Sequence, residues 1–135
     1  ITVALCQPQV PCGAAATTVL ANASLTIAPA TLEPDVKSVL SKVTLGEVDA
    51  GLVYVTDVAA SSDAVLGITI PADVNASTAY PIATLNGSAN AATATAFVDY
   101  VLSPEGRTVL TAAGFAYSPT SPTRNSPAIR PVFRL

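Results

Sequence analysis

The feature that most constrains the fold is an alternation of short apolar runs with stretches of helical periodicity. Residues 2–6 and 50–55 are apolar runs typical of buried strands. Between them, residues 36–43 carry valine and leucine at positions i, i+3, i+4 and i+7, which is the spacing of one helix face. This order favours an α/β fold with a mostly parallel sheet covered by helices.

The first half of the chain also carries signals for the ends of helices. An Ala-rich helix is expected over residues 14–23, with its N-terminus near Cys12 and Gly13, and residues 25–28 are a short apolar run. We expect Thr31 to cap the next helix, with residues 33–35 in its first turn. The strand that follows, residues 50–55, should then be buried between helices.

The second half repeats the alternation more loosely. Strands are expected over residues 65–70 and 80–85, and a helix is expected to begin near Asn90. Ser103 ends that helix and caps a further one, because serine, proline and glutamate follow each other there in the order of a helix start. The apolar face of the first of these helices comprises Ala94, Phe97, Val98, Val101 and Leu102.

The last 18 residues differ from the rest. Residues 118–135 hold four prolines and three arginines but no acid, so we expect an irregular Pro-rich tail after one domain over residues 1–117. The domain holds all nine acidic residues and three of the six basic ones, which argues against a nucleic-acid partner. No apolar run reaches the length of a membrane-spanning helix. Because the sequence opens on Ile1 rather than Met, we expect a processed or incomplete chain.

Little in the sequence points to catalysis. The chain has no histidine and no nucleophile or nucleotide motif, so we predict a protein that is not an enzyme and holds no cofactor. Asp57 and Asp63 could form a carboxylate pair, but exposed loop acids are the interpretation we prefer. Cys6 and Cys12 lack the further ligands that a metal site needs, and they form either a local disulfide or two buried thiols.

The turns between strands and helices are the remaining candidates for a site. A helix N-terminus presents unpaired backbone N–H groups and the positive end of the helix dipole, which suits an anion. Two such ends fall at Cys12–Gly13 and at Asp35–Val36, and Tyr54 lies at the end of a predicted strand. Taken alone these features are better explained as plain helix caps than as an anion site, because every α/β protein has them.

Three segments add a resemblance that keeps its order over residues 3–117. The stretches ALCQPQVPCGAAA, EPDVKSVLSKVTLGEVDAGLVYVTD and AYPIATLNGSANAATATAFVDYVLSPEGRTVLTAAGF resemble the periplasmic molybdate-binding proteins of ABC importers, in their actinobacterial form. The resemblance implies one lobe of a type II periplasmic binding protein, namely the second lobe and the C-terminal helices. It implies a monomer outside the cytoplasm, membrane-associated if a lipoprotein, that delivers molybdate or tungstate to a membrane permease.

The family pattern also assigns ligand roles. It implies that Cys12 and Val36 donate backbone N–H groups to the oxyanion and that Tyr54 donates its hydroxyl, with no direct metal ligand. The family's two serine-containing turns belong to a first lobe that this sequence does not contain, and residues 118–135 match no part of the pattern. We therefore expect this chain alone to bind molybdate weakly or not at all. The alternatives are a ligand-sensing effector domain of a regulator and a truncated remnant that binds nothing.

Overall fold

The computed structural model describes residues 1–117 and the backbone of residues 130–134. The chain divides into two compact units, Ile1–Ser77 and Thr78–Leu135. The first unit contains β1 (Val3–Cys6), α1 (Pro11–Asn22), β2 (Thr31–Glu33), α2 (Val36–Thr44), β3 (Ala50–Gly51) and α3 (Val55–Ala60). The second contains β4 (Ala79–Ile82), α4 (Ala91–Leu102), α5 (Pro104–Ala112), β5 (Ala116–Tyr117) and β6 (Arg130–Arg134).

The first unit has the α/β architecture that the sequence predicts. Its three strands are parallel and lie in the order β2-β1-β3, with β1 in the centre. Each strand is followed in the chain by a helix, so the unit is a run of strand–helix repeats. All four residues of β1 are buried, as expected for the central strand of a parallel sheet covered by helices.

The buried residues of the first unit form two clusters that share β1. Residues of β1 alternate between them, because successive side chains of a strand point to opposite faces of the sheet. One cluster is built on Val3, Leu5 and Ala16. The other contains Ala4, Cys6, Cys12, Val39 and Val48, with Val10, Val36, Val43, Val53 and Tyr54 packed against it.

The second unit is built differently, around an antiparallel sheet in the order β4-β6-β5. The central strand of this sheet is Arg130–Arg134, so the prediction that residues 118–135 are irregular is wrong for these five residues. Proline weakens a strand only where its missing N–H would enter the ladder, and β6 accommodates Pro131 beside a register shift. The rest of the predicted tail lies outside the described residues.

Several predicted element boundaries are also wrong. Thr31 does not cap a helix: residues 31–33 pair with β1, and the helix begins after Asp35, whose carboxylate accepts the Ser38 N–H at 2.8 Å. The run at 65–70 is not a strand, since an apolar run becomes a strand only where a neighbouring strand offers hydrogen-bond partners, and the run at 25–28 is a loop. The run at 50–55 is a strand only over Ala50–Gly51, before α3 begins.

None of the helices in the described part of the chain is both long enough and apolar enough to cross a membrane.

Candidate functional site

The candidate site lies at the carboxyl edge of the parallel sheet in the first unit. Because β1, β2 and β3 run in the same direction, their carboxyl ends lie on the same side of the sheet. The chain leaves each strand at that side and enters α1, α2 or α3. Ligands of open α/β sheets bind at this edge, where the strand order reverses, and here the reversal falls beside β1.

Cys12 lies in the first turn of α1. Val10 is the N-terminal cap and Pro11 the first helical residue, a position that proline favours because it has no N–H to leave unpaired. The Cys12 side chain is buried, whereas its backbone N–H belongs to the first turn and donates to no other described residue. The turn before the helix closes through a bond from the Val10 N–H to the Gln7 carbonyl oxygen at 3.1 Å.

Cys6 and Cys12 form a disulfide, which resolves the alternative that the sequence leaves open. The two Cα atoms are 5.8 Å apart, well inside the range that a disulfide spans. The bond joins the last residue of β1 to the first turn of α1. The backbone that carries the Cys12 N–H is therefore fixed to the sheet by a covalent link.

Val36 is the first residue of α2. The preceding residue, Asp35, caps the helix and accepts the Ser38 N–H, and this hydrogen bond lowers the pKa of the Asp35 carboxyl. The Val36 N–H donates to no other described residue, so this donor is left at the helix end. The Val36 side chain packs against the same cluster that contains Cys12.

Tyr54 caps the short helix α3. Its backbone N–H donates to the Asp57 carboxylate at 3.2 Å, which closes the first turn of that helix. Its hydroxyl oxygen is buried, and its side chain packs against the Cys12 cluster. The structure thus brings the three predicted site residues, which are far apart in sequence, onto one apolar cluster at one edge of the sheet.

Two further residues, Asp57 and Lys37, lie beside these three and were not predicted as part of the site. Asp57 was predicted to be an exposed loop acid, and that prediction is wrong, because Asp57 is only 4% exposed. Its Oδ1 accepts a hydrogen bond from the Lys37 Nζ at 2.7 Å, forming an ion pair between α3 and α2. Asp63 is exposed, as predicted. The helix position of Asp57, three residues after a cap, was a signal in the sequence, whereas its pairing with Lys37 was not.

Both lysines of α2 form ion pairs with acidic side chains. Lys37 is the basic residue nearest in sequence to the predicted donors, and its charge is paired with Asp57. Lys42 of α2 is likewise paired, with Glu47 at 2.5 Å, and this contact raises the pKa of the lysine. No group of three or more potential metal ligands occurs within the described residues. The edge therefore offers neutral N–H and O–H donors rather than unpaired cations.

Comparison with known proteins identifies relatives of this chain. The family model described as bacterial extracellular solute-binding protein matches residues 1–116. The molybdate-binding protein ModA of Mycobacterium tuberculosis and that of Mycobacterium bovis are each 36% identical over 116 residues, 86% of this chain and 44% of theirs. ModA of Escherichia coli is 35% identical over 81 residues, 60% of this chain and 31% of its own.

The chain spans less than half the length of the curated relatives that it matches. No solved structure matches it significantly.

Proposed function

The chain belongs to the bacterial extracellular solute-binding protein family, and we propose that its first unit supplies half of an oxyanion site for molybdate or tungstate. Members of this family bind solutes and are not enzymes, and the molybdate of such a protein is its ligand rather than a cofactor. The names of the relatives support molybdate as the solute. Tungstate is included because it is a tetrahedral dianion of the same charge.

The observation that supports the proposal is that Cys12, Val36 and Tyr54 lie on one apolar cluster at the carboxyl edge of the sheet. The N–H groups of Cys12 and Val36 lie in the first turns of two helices of 12 and 9 residues, where the helix dipoles favour negative charge. Neither N–H donates to another described residue. The Tyr54 hydroxyl would complete the set as an O–H donor on the same apolar cluster.

A site built from neutral donors suits a fully ionised oxyanion. Every donor hydrogen can point at an oxygen that carries charge, and a protonated oxyanion would place its own O–H against a donor without an acceptor. Cys12 and Val36 would contribute backbone N–H groups and carry no side-chain charge. Solvent-exposed ion pairs would therefore not be the main source of affinity. The low number of basic residues agrees with this arrangement.

The remaining donors would come from outside this chain. We propose that the serine-containing turns implied by the family resemblance belong to a first lobe, and that the ion is enclosed between two lobes. In that form the protein would act as a monomer outside the cytoplasm and deliver the ion to an ABC permease in the membrane. Because the proposed half-site would supply only some of the donors, we expect the chain alone to bind molybdate with a dissociation constant above about 1 mM.

The test is a titration of the isotope-labelled chain with sodium molybdate, followed by amide NMR shifts and by calorimetry. The amides of Cys12 and Val36 should shift together and fit one weak binding curve. Sodium chloride at matched ionic strength is the control, because it changes screening without offering a tetrahedral anion. Micromolar or tighter binding would contradict the half-site, and the absence of any shift at both amides would contradict the oxyanion site itself.

A further inference from the structure

We propose that Asp57 is a positioning residue of the oxyanion site. Its buried carboxylate holds the N-terminal turns of α2 and α3 in a fixed position relative to each other. This inference rests on the proposed function, because it concerns how the donors Val36 and Tyr54 are held. Asp57 itself makes no contact with the ion in this account. It acts through the two residues that it binds.

The carboxylate makes one hydrogen bond to each helix. Its Oδ1 accepts from the Lys37 Nζ at 2.7 Å, and Lys37 directly follows Val36 in the first turn of α2. Its Oδ2 accepts from the Tyr54 N–H at 3.2 Å, at the cap of α3. One buried group therefore connects the side chain of the residue after one proposed donor with the backbone N–H of another.

The two oxygens of the Asp57 side chain match the present partners. Both partners are donors, so the bridge needs two acceptor atoms, and an asparagine would turn an N–H₂ group towards one of them. The Asp57 side chain is 6% exposed whereas that of Lys37 is 68% exposed. The lysine thus neutralises the buried carboxylate from the solvent side. Loss of either residue leaves the charge of the other without its ion-pair partner.

The direction in which molybdate affinity changes distinguishes a positioning role of Asp57 from a purely electrostatic one. Removing a negative charge close to a bound dianion strengthens binding if Coulomb repulsion is all that changes. If Asp57 holds the donors in place, removing it weakens binding despite the gain in charge. The two accounts therefore predict opposite changes in affinity for Asp57→Ala.

The disulfide gives the experiment an internal reference. Cys12 is fixed to β1 by its bond to Cys6 and does not depend on Asp57. Loss of the bridge should therefore weaken the common binding curve and, at saturation, reduce the size of the molybdate-induced shift at Val36 and at the Tyr54 ring relative to that at the Cys12 amide. General destabilisation would lower the response at all three positions together, so the pattern distinguishes positioning from a merely structural role.

The experiment uses the full chain, sodium molybdate as the probe, and residue-resolved NMR titration. Asp57→Ala should weaken molybdate binding about tenfold and reduce the size of the shifts at Val36 and Tyr54 more than that at Cys12. Asp57→Asn should weaken binding by a smaller factor. The double variant Asp57→Asn with Lys37→Gln restores a donor–acceptor match and should recover affinity to within about twofold. Asp73→Asn removes the same charge at an exposed position of the same unit and should leave affinity unchanged.

Unchanged or tighter binding by Asp57→Ala overturns the positioning role, as does failure of the double variant to recover. A second measurement needs no ligand: hydrogen exchange of the Tyr54 amide should speed up about tenfold in Asp57→Ala, and unchanged exchange overturns the bridge. If the unsubstituted chain shows no response to molybdate, the proposed function falls, and with it the positioning of donors. The exchange measurement still decides separately whether Asp57 bridges the two helices.

Discussion

The two units of this chain use similar sequence patterns and obtain different cores. In residues 1–77, helices with regularly spaced apolar residues cover a parallel sheet, and eight of the nine buried apolar residues of the described chain lie there. In residues 78–117, Val98 is the one buried apolar residue, although α4 has its apolar residues at helical spacing. Phe97 and Tyr100 of that helix are 61% and 58% exposed.

The difference shows what periodicity predicts and what it does not. Helical spacing of apolar residues determines where a helix forms and which face is apolar, but burial of that face requires a second surface. In the first unit the sheet supplies this surface through β1. In the second unit α5 packs against one side of α4, whereas Phe97 and Tyr100 of α4 stay exposed, and the edge-to-face pair of Tyr80 and Phe115, with ring centroids 6.0 Å apart, does not involve α4.

The largest expected effect comes from Gly13→Ala. A Cβ at this position would lie 1.9 Å from the Gln7 carbonyl oxygen, so backbone must move, and we expect a loss of about 3 kcal/mol in the stability of the first unit. Urea unfolding followed by amide NMR reports the two units separately. Gly46→Ala is the control, because nothing lies within 4 Å there, and its φ of 70° should cost only about 1 kcal/mol.

If residues 78–117 unfold together with residues 1–77 in the Gly13→Ala variant, the two units do not have separate stabilities, which contradicts the comparison. The reciprocal variant is Gly106→Ala, whose Cβ would lie 2.4 Å from the Tyr100 carbonyl oxygen. It should disturb α4 and α5 while leaving the amides of β1 at their original shifts.

The next effect compares two valines. Val39 is 0% exposed and packs in the Cys12 cluster, so Val39→Ala should cost about 2.5 kcal/mol through lost burial and the cavity left behind. Val109 of α5 is 64% exposed, and Val109→Ala should change stability by less than about 0.5 kcal/mol. Equal losses from the two substitutions in denaturant titrations would mean that the second unit buries more than its described surface indicates.

Reduction of the disulfide should affect the first unit alone. The loop between Cys6 and Cys12 is short, and opening it should cost about 2 kcal/mol on a chain-entropy estimate. The double variant Cys6→Ser with Cys12→Ser serves as a second route to the same state and should match the reduced protein in thermal unfolding. A loss of structure in α4 or α5 on reduction would be the contrary result.

The smallest effects concern pH. Hydrogen bonds from Ser38 and from Thr2 lower the pKa of Asp35 and of Asp49 below the ordinary value of 3.8. Because the folded pKa is the lower one, this stabilisation is fully present above about pH 4 and disappears as the pH falls through the folded values. Asp49→Asn should therefore flatten the acid side of the stability profile of the first unit in denaturant titrations. An unchanged profile would show that the Thr2 bonds to Asp49 contribute nothing.

The helix ends near Cys12 and Val36 were predicted better than the strands. Cys12, Val36 and Tyr54 were reached as two helix ends and a strand end, features that local cap chemistry and apolar runs reveal. The structure places them on one cluster, and their roles as ligand donors stay a prediction. Residues 65–70 were expected to be a strand, and they are not, because pairing depends on which edges are free.

The pairing of Lys37 with Asp57 could not be predicted from the sequence, because it too depends on the tertiary structure. The two residues are separated by a helix, a strand and a turn, and only the tertiary arrangement of α2 and α3 brings them together. Similarly, β6 lies in a Pro-rich stretch that local propensity assigns to irregular structure. Its place between β4 and β5 is set by long-range pairing.

The most direct test of this account compares helix ends in the two units during one molybdate titration. If oxyanion binding depends on the edge formed by β1, β2 and β3, the amides of Cys12 and Val36 should shift, while those of Ala91 and Ala92 stay unchanged. The latter two open α4, a 12-residue helix without an acid in its first turn, and so report nonspecific binding of an anion to a helix N-terminus. Equal shifts at both helix ends, or shifts at α4 alone, would contradict the assignment of the site to the first unit.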